Sequence, residues 1–408
     1  MLKRINVQQL CLGMHIDGFI GPWMDNPFWR NHFMLTDPKD IDRALASTMR
    51  EVWINTGKGL DIPPEVETAM HTETVPAMVQ EILVADAPER DTTPTSAADE
   101  YTRAAKICAS SKQAVIAMFQ EARMGKMVDS ELALNVVNEI TDSVIRNPGA
   151  LISLARLKTV DDYTYMHSVA VCALMIALSH QLKLDDAQTR TLGLAGLLHD
   201  LGKALMPMDV LNKPGKLTDA EFATIKSHPT RGHRMLVESG AVDDTVLDVV
   251  LHHHEKIDGT GYPDGQKGDG ISLFAKMGTV CDVYDAITSN RPYKKGWDPS
   301  ESLRKMAEWT NGHLDAKVFH AFVKSLGIYP TGSLVRLTSG RLGVVTEQSP
   351  NSLLKPMVKV FFSTKSDMRI PPEVFDLSAP NCKETIVARE DPETWRFPDL
   401  NELWSGLP

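Results

Sequence analysis

Cysteine is scarce in this sequence and follows no disulfide or zinc-binding pattern. The chain has five cysteines, an odd number, and none of them forms a CxxC pair. They are scattered at Cys11, Cys108, Cys172, Cys281 and Cys382. This usage argues against a disulfide framework and against a thiolate zinc site, and it predicts free thiols in a cytoplasmic protein.

Long hydrophobic runs are also missing. The longest nearly apolar stretch covers residues 169–178, about half of the roughly 20 residues that a helix needs to cross a bilayer. The opening MLKRINVQQLCLGMHIDG contains no apolar core of signal-peptide length. We therefore expect a cytoplasmic protein with no membrane association.

Basic charge is in deficit. The chain has 43 Lys and Arg against 53 Asp and Glu, a formal net charge of −10. Proteins that follow DNA or RNA gain most of their affinity by neutralising phosphates with basic side chains. We therefore expect no DNA or RNA partner, while a small anionic ligand stays compatible with a local basic cluster.

Four regions differ in their residue patterns. Residues 1–85 mix short β-like runs with Gly, Pro and aromatic residues, which predicts a β-rich regulatory module. Residues 86–100 are rich in Pro, Thr, Ala and acidic residues and predict a linker. Residues 101–330 have apolar residues at helical spacing, whereas 331–408 predict a small β appendage and tail.

The third region predicts a series of separate helices. They are expected over 161–182, 186–198, 218–238, 243–255, 272–289 and 299–326. After residue 330, GSLVRLTSGRLGVVTEQ predicts two strands joined around Ser339 and Gly340, and MVKVFF predicts a third. The predicted fold class is mainly α, a multi-helix bundle with a small N-terminal β-containing module and a small C-terminal β appendage.

Histidines and aspartates recur at near-regular intervals along the predicted bundle, about one helix and its turn apart. These positions are His167, His199, Asp200, His228, His253, His254 and Asp282. Helical bundles build metal sites from such inward-facing side chains, and this donor set favours Fe, Mn, Ni or Zn. The ligands are too many for one tetrahedral ion, so two metals bridged by Asp200 are expected. Any one of these residues alone is weak support, since a buried histidine is more often a core residue.

The order of the motifs resembles a known family. The segments LLHDLGKALMP, IKSHPTRGHRML, LHHHEKIDGTGYPDG and CDVYDAITSNRPYKK are similar to the HD-GYP subgroup of the HD phosphohydrolases, over roughly residues 150–326. The N-terminal residues resemble a module often fused to such domains. The resemblance implies an HD-type helical bundle and a metal-dependent phosphodiesterase. Its implied substrate is the bacterial second messenger cyclic di-GMP, cleaved to linear pGpG and in parts of the family to GMP.

The resemblance also implies how the ligands are shared. One metal would take His167, His199 and Asp282, the other would take His228, His253 and His254, and Asp200 would bridge them. His252 is interpreted as an extra, solvent-facing histidine. A glutamate that binds a third ion in some members is replaced by Tyr163. Two divalent ions are therefore expected, Fe or Mn ahead of Ni or Zn.

Further roles follow from the same resemblance. Asp200 and Lys203 are predicted as catalytic, with Lys203 also binding a substrate phosphate. Arg291 and Lys294 resemble phosphate contacts, although a solvated basic loop is the alternative. The segment 258–263 is a tight loop for which the family implies contacts with other signalling proteins.

Two other functions stay open at this stage. The chain could be an HD phosphohydrolase for another nucleotide. It could also be a catalytically weak receptor that binds cyclic di-GMP or a partner protein. The complete ligand set and Lys203 favour the enzyme, because a receptor need not keep every ligand.

Overall fold

The computed structural model describes residues 2–20, 33–46, 51–60, 91–157, 163–213, 215–240, 242–289, 296–349 and 351–407. It divides into two units, Met1–Glu89 and Arg90–Pro408. All five cysteines are free thiols, as the sequence predicts. Among the described helices, none combines the length and apolarity needed to cross a membrane.

The first unit contains a small antiparallel sheet. Its elements are β1 (Leu2–Asn6), β2 (His15–Ile20), β3 (Phe33–Met34), α1 (Pro38–Ala46) and β4 (Glu51–Asn55). The strand order is β1-β4-β2-β3. In β4 the buried Val52 and Ile54 alternate with the exposed Trp53, because successive strand residues point to opposite faces. Ile16 lies in the same core.

The second unit is built mainly from helices. They are α2 (Ala97–Arg123), α3 (Ser130–Arg146), α4 (Pro148–Arg156), α5 (Tyr163–Gln181), α6 (Asp186–Leu198), α7 (Met208–Leu211), α8 (Asp219–Ile225), α9 (His228–Ser239), α10 (Asp244–His252), α11 (Leu273–Thr288), α12 (Pro299–Trp309), α13 (Ala316–Leu326), α14 (Pro392–Trp395) and α15 (Leu400–Ser405). With the two small sheets, this confirms the predicted mainly α fold class.

Three helix boundaries differ from the sequence prediction. Helix α2 begins at Ala97, inside the predicted linker, because the Ser96 side chain caps its first turn. The predicted helix 218–238 is two helices, since Pro229 starts α9 within its first turn. The predicted helix 299–326 is also divided, and Asp315 caps the start of α13.

Helix α5 lies at the centre of the bundle. Every residue from position 166 to 179 is buried, which is typical of a helix that is apolar on all faces. His167 is one of these buried residues and is only 1% exposed. The most hydrophobic helix of the unit thus carries the first predicted metal ligand.

The C-terminal residues form five strands rather than the three predicted. They are β5 (Leu334–Leu337), β6 (Arg341–Ser349), β7 (Ser352–Ser363), β8 (Met368–Asp376) and β9 (Ile386–Arg389), in the order β8-β7-β6-β5-β9. The predicted turn between β5 and β6 is present, with Gly340 at a φ of 83° that favours glycine.

This sheet shares the hydrophobic core of the helices. Trp404 is buried, and its ring lies 5.4 Å from the ring of Tyr101 in α2. Glu347 accepts hydrogen bonds from the backbone N of Ala97 at 3.2 Å and from the amide of Asn147 at 2.7 Å. The residues after 330 are therefore packed into the same compact unit as the predicted helical domain.

Candidate metal centre

Five helices bring the predicted ligands together, each through one turn. His167 lies in the first turns of α5, His199 and Asp200 follow α6, and His228 begins α9. His253 and His254 follow α10, and Asp282 lies in the middle of α11. All except His254 are at most 7% exposed.

The side chains form two neighbouring groups of potential metal ligands. One group is His167, His199 and Asp282; the other is Asp200, His228, His253 and His254. Within each group the ligand atoms lie within 4.8 Å of one another. The spatial grouping of the histidines and Asp282 is the one that the sequence resemblance implies.

Hydrogen bonds to backbone carbonyls set the orientation of two imidazoles. His199 Nδ1 lies 2.7 Å from the carbonyl of Gly196, and His228 Nδ1 lies 2.8 Å from that of Ile225. A carbonyl oxygen only accepts, so each Nδ1 carries the proton. The Nε2 atoms of both rings therefore point into the centre, where they are placed to bind a metal.

The Nε2 atoms of four histidines face one another at short distances. His253 Nδ1 lies 3.0 Å from the carbonyl of Val250, so its Nε2 also points into the centre. That atom lies 3.3 Å from His228 Nε2, and His199 Nε2 lies 3.2 Å from His167 Nε2. Several imidazole nitrogens converging on one point, next to carboxylate oxygens, are the donor arrangement of a metal site.

Asp200 lies between the two groups. Its Oδ2 is 3.4 Å from Nε2 of both His167 and His199, and its Oδ1 is 3.1 Å from His228 Nε2. The Oδ1 atom is buried and has no hydrogen-bond donor within the described part of the chain. An unsatisfied buried carboxylate oxygen is costly, and a divalent cation would satisfy it, so the residues present fit a metal.

Burial and charge favour the metal-binding protonation states of His253, His254 and Asp200. Burial lowers the pKa of His254 to about 3, and burial together with the charges of His254 and His199 lowers the pKa of His253 well below its usual value. Both imidazoles are therefore neutral near pH 7. Burial opposes ionisation of Asp200, but Lys203 and His199 outweigh it and hold its pKa well below the usual range.

Asp285 is a site residue that the sequence analysis missed. Its Oδ2 lies 2.6 Å from His167 Nδ1, and its Oδ1 accepts a 3.3 Å hydrogen bond from Ser289 Oγ. A carboxylate on the outer nitrogen of a ligating histidine fixes the ring and increases its basicity. The signal was available, since Asp282 and Asp285 are three residues apart and share a helix face.

We expect Asp285→Asn to weaken metal binding by about 10–100-fold, the usual effect of losing such an outer partner. The amide keeps the volume but not the charge that supports His167. The measurement is metal affinity by competition with a chelator, alongside the melting temperature of the metal-free protein. Ser289→Ala, which removes only the weaker contact to Asp285, is the matched control and should bind metal nearly as the wild type does. Unchanged affinity in Asp285→Asn would show that the carboxylate serves only folding.

Gly202 shapes the turn that carries His199 and Asp200. A Cβ built at this position would lie 1.9 Å from the carbonyl oxygen of His228, a distance that no side chain tolerates. Glycine is needed here for this close approach of two backbones. Lys203 follows in the 3₁₀ helix Leu201–Leu205, with its ammonium on Asp200 Oδ2.

The loop after α10 is anchored by a buried glutamate. Glu255 Oε1 accepts hydrogen bonds from the backbone N of Asp264 at 2.8 Å and of Gly265 at 3.0 Å. The Tyr262 backbone N donates to the His254 carbonyl at 3.2 Å, and the two rings lie 4.7 Å apart. The predicted tight loop therefore packs directly against a candidate metal ligand.

Three other predicted positions are His252, Arg291 and Lys294. His252 is not solvent-facing as expected, because its Nδ1 lies 2.7 Å from Asp248 and its Nε2 3.1 Å from Asp264. It belongs to neither ligand group. Arg291 and Lys294 lie outside the described residues, so their contacts stay predictions.

Comparison with known proteins identifies the family. Residues 142–318 match the family model described as HD domain, and residues 2–133 match one described as a domain of unknown function (DUF3391). The chain is 54% identical to the cyclic di-GMP phosphodiesterase PA4108 of Pseudomonas aeruginosa, over 100% of this chain and 96% of that relative. This chain belongs to the HD-GYP subgroup of the HD phosphohydrolases.

Two further relatives match only part of this HD-GYP protein. The cyclic di-GMP phosphodiesterase response regulator RpfG of Xanthomonas campestris is 41% identical over 31% of this chain and 34% of the relative. The 3′3′-cGAMP-specific phosphodiesterase 3 of Vibrio cholerae is 36% identical over 41% of this chain and 36% of the relative. The chain is thus similar to phosphodiesterases named for two different cyclic dinucleotides.

Proposed function

We propose that this HD-GYP protein is a metal-dependent phosphodiesterase that hydrolyses cyclic di-GMP to linear pGpG. The relative that is 54% identical over the full length of this chain is named a cyclic di-GMP phosphodiesterase, and pGpG is the product that the family resemblance implies. The observation that supports it here is the pair of ligand groups that meet at Asp200, in which every side chain except that of His254 is buried. A receptor needs no such arrangement of converging donors.

The proposed division of ligands follows the spatial groups. One ion would be held by His167, His199 and Asp282 and the other by His228, His253 and His254, with Asp200 available to both. When bound, the ions supply Lewis-acid stabilisation of a phosphoryl oxygen and lower the pKa of a water molecule toward about 7. Fe or Mn fit the nitrogen and oxygen donors, and Ni or Zn are compatible with them.

The remaining roles belong to charged side chains around the ligands. Lys203 is 22% exposed at its side chain, with its ammonium beside Asp200, so it can stabilise charge on a substrate phosphate at the edge of the cluster. Arg291 and Lys294 are proposed to hold the substrate phosphates. The regulatory role of residues 1–85 and partner binding by the loop 258–263 stay predictions.

We expect about two ions per chain in anaerobically purified protein, because Tyr163 stands where a third ion would need a carboxylate. The Tyr163 ring stacks on His167 at 5.6 Å with an interplanar angle of 9°. A phenol with a pKa near 10 is a poor ligand for a divalent ion at neutral pH. Elemental analysis gives the number of ions, and anomalous scattering gives their positions. A third, fully occupied peak beside His167 would contradict this prediction.

The activity is tested by incubating the purified protein with cyclic di-GMP and either Mn²⁺ or Fe²⁺, followed by chromatography. We expect pGpG, and any further cleavage is seen as GMP. Intact substrate with both metals, together with tight binding, would instead support a receptor. The same assay with 3′3′-cGAMP tests the second candidate, since one relative acts on that nucleotide.

A further inference from the structure

A cation and two aromatic rings extend outward from the candidate metal centre. The Tyr262 ring lies 4.7 Å from that of His254, and Lys226 Nζ lies 5.2 Å from the centre of the Tyr262 ring. The same ammonium lies 4.8 Å from the centre of the Phe222 ring. A line of contacts thus connects a proposed metal ligand to an aromatic residue that is 48% exposed.

Lys226 is available for a ligand. It is exposed, and no carboxylate of the described residues forms an ion pair with it. Lys213 contrasts with it, because its ammonium lies 2.6 and 2.7 Å from the carboxylate oxygens of Glu221. The loop holding Tyr262 is fixed by Glu255, so the ring beneath Lys226 is in place before a substrate arrives.

We propose that Lys226, with Phe222 and Tyr262, forms a subsite that recognises a guanine base of the substrate, an inference that rests on the proposed function. The exposed ring of Phe222 provides a face on which a base stacks. The partly buried Tyr262 ring, packed on His254, supports Lys226. Guanine presents two acceptors, O6 and N7, on one edge, and lysine donates to both. Adenine presents an amino group, a hydrogen-bond donor, in place of O6. An ammonium is itself only a donor, so it cannot hydrogen-bond to that group. Lys226 is therefore a specificity residue rather than a member of the catalytic group.

The test is Lys226→Met, which keeps the apolar stem on the rings and removes the ammonium. We expect KM for cyclic di-GMP to rise about tenfold or more, the usual effect of losing a charged hydrogen bond, with metal content unchanged. The inhibition constant of cyclic di-AMP, which has the same phosphates but no guanine, should not change. Lys226→Arg should retain most of the affinity, because a guanidinium also donates to O6 and N7.

Lys213→Met is the matched control and should behave as the wild type does. An equal loss of affinity for cyclic di-GMP and cyclic di-AMP would overturn the proposal, because it would show that Lys226 contacts phosphate. Wild-type kinetics in Lys226→Met would overturn it as well. Failure of the proposed function is distinguishable from both, since the wild-type protein itself would then leave cyclic di-GMP intact.

Discussion

Asp200→Asn is expected to abolish hydrolysis of cyclic di-GMP and to empty the metal centre. The two carboxylate oxygens face different ligand groups, with Oδ2 3.4 Å from His167 Nε2 and Oδ1 3.1 Å from His228 Nε2. An amide has one oxygen and no charge, so it cannot serve two cations. The loss of metal affinity should exceed the roughly 100-fold that removal of an outer hydrogen-bond partner costs.

The readouts for Asp200→Asn are metal content by elemental analysis and product formation by chromatography. Asp269→Asn is a suitable control, because that carboxylate is exposed in the 3₁₀ helix Gly268–Gly270. It should retain both metal and activity. Two ions per chain and normal turnover in Asp200→Asn would show that the centre is assembled without this carboxylate.

Lys203→Met should separate metal binding from catalysis. Removing a group that stabilises transition-state charge costs about 10²–10³ in kcat, and we expect a loss of that size with the metal content preserved. Lys203 is no metal ligand, and the methionine keeps the apolar part of the side chain. Turnover and metal content are measured on the same preparation, with the exposed Lys216→Met as the control. Full activity of Lys203→Met would show that the ammonium takes no part in catalysis. Loss of metal from the variant would show instead that Lys203 only supports Asp200.

The candidate ligands could be predicted because their positions carry a strong local signal. His199 with Asp200, and His253 with His254, occur as adjacent pairs, and the intervals between ligands correspond to helices of a bundle. Residue type and spacing are sufficient for such a prediction, because each helix contributes one turn. The structure adds the orientation of each imidazole, which depends on carbonyls such as that of Gly196.

The outer parts of the site were harder to predict because they depend on contacts between segments. His252 was expected to face solvent, yet Asp264 from the following loop lies 3.1 Å from its ring. Asp285 is not among the predicted site residues, although its spacing of three from Asp282 places both on one helix face. A sequence pattern shows which residues share a helix face, but it does not show which neighbour that face meets.

The fold was predictable at the level of element type. Helical periodicity gave the mainly α class, and Gly340 marked the hairpin between β5 and β6. The helices break before Pro229 and before Asp315, where the sequence has ordinary proline and capping signals. Both signals lie within long stretches of helical periodicity, which favour one continuous helix. The packing of the sheet on the helices has no local signal at all, because it depends on Tyr101 meeting Trp404.

That distant packing has a consequence for folding and for protein levels. The hydrogen bond from Ala97 to Glu347 joins residues 250 positions apart, and contacts of this separation form slowly because a long loop must close first. The backbone N–H of Ala97, at the start of helix α2, therefore gains this partner only once the last sheet is in place. Substitutions in that sheet should change how much folded enzyme a cell accumulates, while the turnover of each folded molecule stays the same.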